Sequence, residues 1–127
     1  MLLIYVALGG AVGAVARYGL SGFVQHRMGS GFPWGTLAVN VAGSLLLGFI
    51  VRLFHGSTVT PELRAAVTIG LIGAFTTFST FSYETVALLD HGEWSGAAAY
   101  LVGSVVLALA AAFVGMGLGS YILQARG

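Results

Sequence analysis

Four apolar stretches, each long enough to cross a bilayer as a helix of about 20 residues, leave this chain almost no choice of environment. They run approximately over residues 2–24, 35–54, 63–89 and 96–124. The connectors between them are too short to hold a soluble domain. The expected fold is therefore all-α, a single four-helix integral membrane domain spanning residues 1–127. Composition agrees: 57% of residues are hydrophobic and 7% charged, outside the range of water-soluble domains. Ala14-Val15-Ala16 looks like a signal-peptidase site, but no basic region precedes it and Arg17 follows at once, so the first span is expected to be retained.

The same composition excludes several functions. With no cysteine there is no disulfide framework, thiolate metal site or thiol nucleophile. A net charge of +1 carries no signal for nucleic acid. The three histidines lie in connectors or at span ends, and no nucleotide loop, HExxH pair or Ser/His/Asp set can be assembled, so no enzyme is expected.

Charge also bears on orientation. With four spans, Arg52, Arg64 and Arg126 fall on one side, and Arg27 on the other, joined by Arg17 if it points that way. Three against two decides little under the positive-inside rule. The chain has either one weakly specified topology or two, and in the second case oppositely inserted copies can pair about an axis in the membrane plane.

Polar residues inside the spans are costly in hydrocarbon and mark where to look for function. Residues 76–82, Thr-Thr-Phe-Ser-Thr-Phe-Ser, set five hydroxyls and two phenyl rings midway along the third span. Phe78 and Phe81 are three apart and fall near one helical face, with electropositive ring edges that an anion tolerates. Gly70 and Gly73 weaken the helix ahead of residue 76, so a break is expected there, with freed carbonyls able to coordinate a monovalent cation.

In the second span Thr36, Asn40 and Ser44 follow one another at steps of four and form a polar stripe. Asn40 must bond another helix, backbone or an ion, because its amide cannot stay unpaired in lipid. In the fourth span Tyr100 and Ser104 share a face that turns apolar at Ala108. Arg17 either snorkels to the interface or draws anions into a vestibule, and Glu84 is either a proton or cation site or a hydrogen-bonded structural carboxylate. Gly9-x-x-x-Gly13 and Gly115-x-x-x-Gly119 predict close helix packing, and Trp34 and Trp94 sit where indoles anchor at the interface.

Three motifs resemble one family. Gly13-Ala14-x-x-Arg17-Tyr18, Gly35-Thr36-Leu37-x-Val39-Asn40-x-x-Gly43-Ser44 and Gly70-x-x-Gly73-x-x-Thr76-Thr77-Phe78-Ser79-Thr80-Phe81-Ser82-x-Glu84 are similar to those of the Fluc (CrcB-type) fluoride channels of bacteria. The resemblance covers all four spans. It implies an antiparallel, dual-topology homodimer in the bacterial cytoplasmic (inner) membrane, with two fluoride pores and a central structural sodium ion. By the same resemblance, Phe78, Phe81, Asn40, Thr36, Tyr100 and Ser104 are the fluoride-pore residues, and Arg17 belongs to the vestibule. Gly73 and Thr76 give backbone carbonyls to sodium. The chain departs from the family at Ala108, where a further pore serine is expected. The competing readings are a small dual-topology multidrug exporter, which would need a carboxylate deep in the first span where Arg17 stands, and a non-transporting assembly subunit.

Overall fold

The computed structural model describes residues 1–126, and among them every regular element is helical. The first span is α1 (Leu2–Met28) and the second α2 (Trp34–Phe54). The third is composite: α3 (Pro61–Ala65), a π-helical stretch over Ala66–Ile72, α4 (Gly73–Phe75) and α5 (Phe78–Asp90). The fourth is α6 (Trp94–Arg126). Four segments are long and apolar enough to span a membrane, Leu2–Met28, Trp34–Phe54, Pro61–Asp90 and Trp94–Arg126, and the protein is a multi-pass membrane protein. Each is somewhat longer than the apolar run that announces it.

Local chemistry explains where the helices begin and turn. Thr60 caps α3, its hydroxyl accepting from the Leu63 N–H at 3.3 Å, and Pro61 occupies the first position, where its missing N–H does no harm. The first connector is held by one side chain. Gln25 donates to the carbonyls of Gly29 and Phe32 while its Oε1 accepts the Gly35 N–H at 3.0 Å, tying the end of α1 to the start of α2. Gly29, Gly56 and Gly92 take positive φ at the exits of three helices, a conformation that other L-residues avoid.

Lipid supplies no hydrophobic drive between helices, so association rests on close packing. The Gly-x-x-x-Gly pairs are where it happens. Gly9 and Gly13 of α1 lie against the backbone of Ala66 and Leu71, so that a methyl group at either would strike a carbonyl oxygen. On the opposite flank α2 and α6 form the most extensive contact of the bundle, with Gly48 against the Ala112 carbonyl and Gly115 against that of Leu45. Side chains in the interior are few; Tyr100 and Val39 are the largest fully buried ones.

The third span is interrupted where residues 76–82 begin. Thr76 and Thr77 leave the helix for extended backbone (φ −90°, ψ 160° and φ −151°, ψ 111°), and the Thr77 hydroxyl restarts it by accepting the Thr80 N–H at 3.2 Å. The two glycines ahead of the break act otherwise than their propensity suggests. Gly70 is a contact position, where a Cβ would come 2.6 Å from the Val6 carbonyl oxygen, and Gly73 has ordinary space, with nothing nearer than the Thr68 carbonyl at 3.7 Å.

The packing gives a test that flux does not enter. Gly115→Ala should destabilise the bundle by about 1–3 kcal/mol, the usual penalty of overpacking, because the Leu45 carbonyl is backbone and cannot swing away. Gly117→Ala, two residues on and facing open space, should lose nothing. Chemical unfolding of both variants in detergent micelles measures the difference.

Candidate functional site at the helix break

A broken helix in a membrane frees backbone groups that must find partners. At this break the partners come from two other spans. The Asn40 side chain exchanges two hydrogen bonds with Thr77: its Oδ1 accepts the Thr77 N–H at 2.7 Å and its Nδ2 donates to the Thr77 carbonyl at 3.1 Å. Arg17 donates from Nε to the Ala74 carbonyl at 3.0 Å, so its guanidinium turns inward to the end of α4 instead of running out along the span. A cation at a helix C-terminus is also favoured by the dipole. These bonds have a consequence for the remaining carbonyls. The Thr77 N–H that would return to Gly73 goes to Asn40, and the Thr80 N–H that would return to Thr76 goes to the Thr77 hydroxyl. Gly73 and Thr76 are thus left with acceptor oxygens free of their helical donors.

Beside the break lies a groove of about 270 Å³, walled by α2, α6 and the start of α5. Asn40, Ser44, Ser104, Thr76 and Thr77 line it with Phe78 and Phe81, and Ala108 lies along the same wall as Ser104. Asn40 uses one Nδ2 hydrogen on Thr77, which leaves the second for a ligand. The Ser104 hydroxyl is more telling. The residue is buried (7% exposed), yet its Oγ has no hydrogen-bond partner. A buried hydroxyl left unpaired costs about 1–3 kcal/mol, which a ligand or water in the groove would recover.

The two phenyl rings are not equivalent. Phe81 is buried (7% exposed), edge-on to Tyr100 at 5.2 Å between centroids, whereas Phe78 is 80% exposed and tilted against Phe81 at 5.6 Å. Phe32 continues the series from the first connector, edge-on to Tyr100 at 5.4 Å. The rings so form a file from the loop to the groove.

Thr36 and Tyr100 do not line the groove; they meet at Glu84. The Thr36 hydroxyl donates to one carboxylate oxygen at 2.9 Å and the Tyr100 hydroxyl to the other at 2.6 Å. Three spans are joined through this carboxylate, which also faces a second, wider cavity of about 790 Å³ toward the first and third connectors. Among the described residues no cluster of three metal-binding side chains is present.

The expected site residues therefore divide into groups. Asn40, Ser104, Phe78 and Phe81 share the groove; Thr36 and Tyr100 share Glu84; Arg17, Gly73 and Thr76 belong to the break. Sequence reading passed over Gln25, for which a polar residue at a span end gives no signal, and over Thr77 as a cap, which a hydroxyl three residues before Thr80 does announce.

Four spans, one of them broken and stapled by an amide from its neighbour beside a groove with an unpaired hydroxyl, define a small polytopic membrane protein. The family model described as "CrcB-like protein, Camphor Resistance (CrcB)" matches residues 4–116, and the chain belongs to this family. Curated relatives named "Fluoride-specific ion channel FluC" are similar over nearly their whole length. That of Magnetococcus marinus is 49% identical over 96% of this chain and 100% of its own, and that of a Thermus thermophilus strain is 48% identical over 93% of each. A third, from Hahella chejuensis, is 47% identical over 95% of this chain and 96% of its own.

The staple should be measurable without a ligand. Asn40→Leu leaves both polar groups of Thr77 unpaired and should cost about 1–3 kcal/mol for each group. Hydrogen exchange at the Thr77 amide in detergent should quicken in this variant, whereas Asn40→Asp, which keeps an acceptor for that amide, should retain most of its protection.

Proposed function

We propose that this protein is a fluoride-selective channel that lets fluoride leave the cytoplasm passively. The observation that carries the reading is the partnerless Ser104 hydroxyl in a groove it shares with Asn40, Phe78 and Phe81, in a chain whose relatives are named for fluoride conduction. Fluoride is small and strongly hydrated, so a path for it must offer donors in place of water. The second Asn40 amide hydrogen, the Ser104 hydroxyl and the phenyl edges are such donors, and none carries a full charge that would trap the anion in a low-dielectric setting. Thr36 and Tyr100 stand between the groove and the wider cavity, and each would meet the anion by turning its hydroxyl away from Glu84. Arg17, held at the break by the Ala74 carbonyl, would act from a vestibule that reaches inward to it and draw anions toward the path.

The working unit is an antiparallel homodimer with two such paths, placed in the cytoplasmic membrane. Phe78, 80% exposed where it lines the groove, is then a wall completed by the second copy. A structural sodium ion fits the chemistry of the break, because Gly73 and Thr76 hold carbonyls freed of their helical donors. Two carbonyls are too few for an alkali cation alone, and a second copy would complete the set. When bound, the ion would offset the partial negative charge of those oxygens; the chain's own part is to hold the backbone of the break in place through Asn40 and Arg17.

Proteoliposomes loaded with potassium fluoride or potassium chloride test the reading directly. Fluoride should be released rapidly with a potassium ionophore present, and chloride should stay. Phe78→Ile and Phe81→Ile keep apolar bulk but remove the ring edge, and each should cut fluoride release about tenfold or more, a barrier rise of about 1.4 kcal/mol. Folded, dimeric variants conducting at the parent rate would remove both rings from the path. Parent protein that releases no fluoride would leave the assembly-subunit reading in possession.

Orientation is open to its own experiment. Two or three lysines added to the second connector should insert every copy one way and abolish fluoride resistance in cells relying on that gene, and co-expression of an oppositely biased variant should restore it. Resistance persisting in a uniformly oriented population would overturn the antiparallel dimer.

A further inference from the structure

α2 and α6 run in the same direction, and their residues pair off in steps of four. Thr36 and Tyr100 meet at Glu84 at one end of the contact, and at the other Gly48 abuts the Ala112 carbonyl. Between these two fixed points the same step sets Asn40 beside Ser104 and Ser44 beside Ala108, and all four line the groove. The levels of the groove are thus known. At the Asn40 level both helices bring a donor; at the next, α6 brings only a methyl group and the hydroxyl is on α2.

We infer that Ser44 is an ion-path residue, supplying from α2 the hydroxyl donor at the level where α6 presents Ala108. This rests on the channel reading and adds a residue and a level to it. In the structure the Ser44 hydroxyl donates to the Asn40 carbonyl at 2.7 Å, one turn back on its own helix. That bond is expendable. The same carbonyl already receives the Ser44 N–H in the ordinary helical pattern, and a serine bonded back in this way gains little or bends its helix slightly. Rotation of one side-chain torsion turns the hydroxyl into the groove at no loss of a backbone partner.

Apart from the unpaired Ser104, the other hydroxyls that line the groove are less free. Thr77 is committed twice, accepting the Thr80 N–H and donating to the Thr80 hydroxyl at 2.9 Å. Thr76 turns its methyl toward α2, since the atom nearest a Cβ built on Gly43 is its Cγ2. Beyond Ser44 the lining becomes Leu47, and Gly48 then closes the two helices together. Ser44 is the last donor along that wall.

Fluoride release from proteoliposomes by the parent, Ser44→Ala, Ala108→Ser and the double variant tests this assignment. Ser44→Ala should slow release about tenfold, the loss of one hydrogen bond to a charged group. Ser44→Ala/Ala108→Ser returns a hydroxyl to the same level from the facing helix and should recover most of the rate. A merely structural role, through the Asn40 carbonyl, would be left unrescued by a serine on α6. Parent-like release by Ser44→Ala would overturn the assignment, as would slow release that Ala108→Ser fails to restore in a folded dimer. Failure of the channel reading itself looks different: the parent, with Ser44 intact, would release no fluoride, and the assignment would fall with it.

Discussion

Everything at the centre of this protein depends on one amide. Asn40 takes the N–H and the carbonyl of Thr77 at once, and so does the work that a continuous helix would do for itself. Without a partner that both donates and accepts, extended backbone at Thr76 and Thr77 would leave polar groups unpaired, at a cost of about 1–3 kcal/mol for each. Asparagine meets the requirement with the right reach, because its carbonyl and amino ends imitate a peptide group. The break is thus a property of two spans, and neither would hold it alone.

From that exchange the other features follow in order. Diverting the Thr77 N–H frees the Gly73 carbonyl, and Arg17 covers the neighbouring one at Ala74. Restarting the helix at Phe78 sets a new face for α5, which sends Phe81 inward against Tyr100 and leaves Phe78 outside. The same rotation brings Glu84 to the hydroxyls of Thr36 and Tyr100, closing a triangle among three spans with neutral donors. Glycine contacts on the two flanks keep these elements within hydrogen-bonding range.

How much of this was legible in the sequence differs from level to level. Hydropathy marked all four spans, since length and apolarity are all that a bilayer demands. The break was legible near Thr76, but its cause was not: helix propensity pointed to Gly70 and Gly73, whereas Gly70 serves a contact with α1 and the bonds that open the helix come from a residue 37 positions away. Steps of four grouped Thr36 with Asn40 and Tyr100 with Ser104, yet periodicity within one helix says nothing about what lies opposite it. Glu84 as the shared acceptor, and Arg17 turned toward Ala74, needed the bundle to be assembled first.

The π-helical stretch over Ala66–Ile72 has its own consequence. A turn of that kind holds one more residue than an α-helical turn, so the third span carries a residue of slack just ahead of its break. Gly9, Gly13 and Gly70 bring the backbones of α1 and this same stretch together, so the extra residue sits where two spans touch most closely. The third span is thus held at two points, by the backbone of α1 at residues 66–71 and by Asn40 at Thr77.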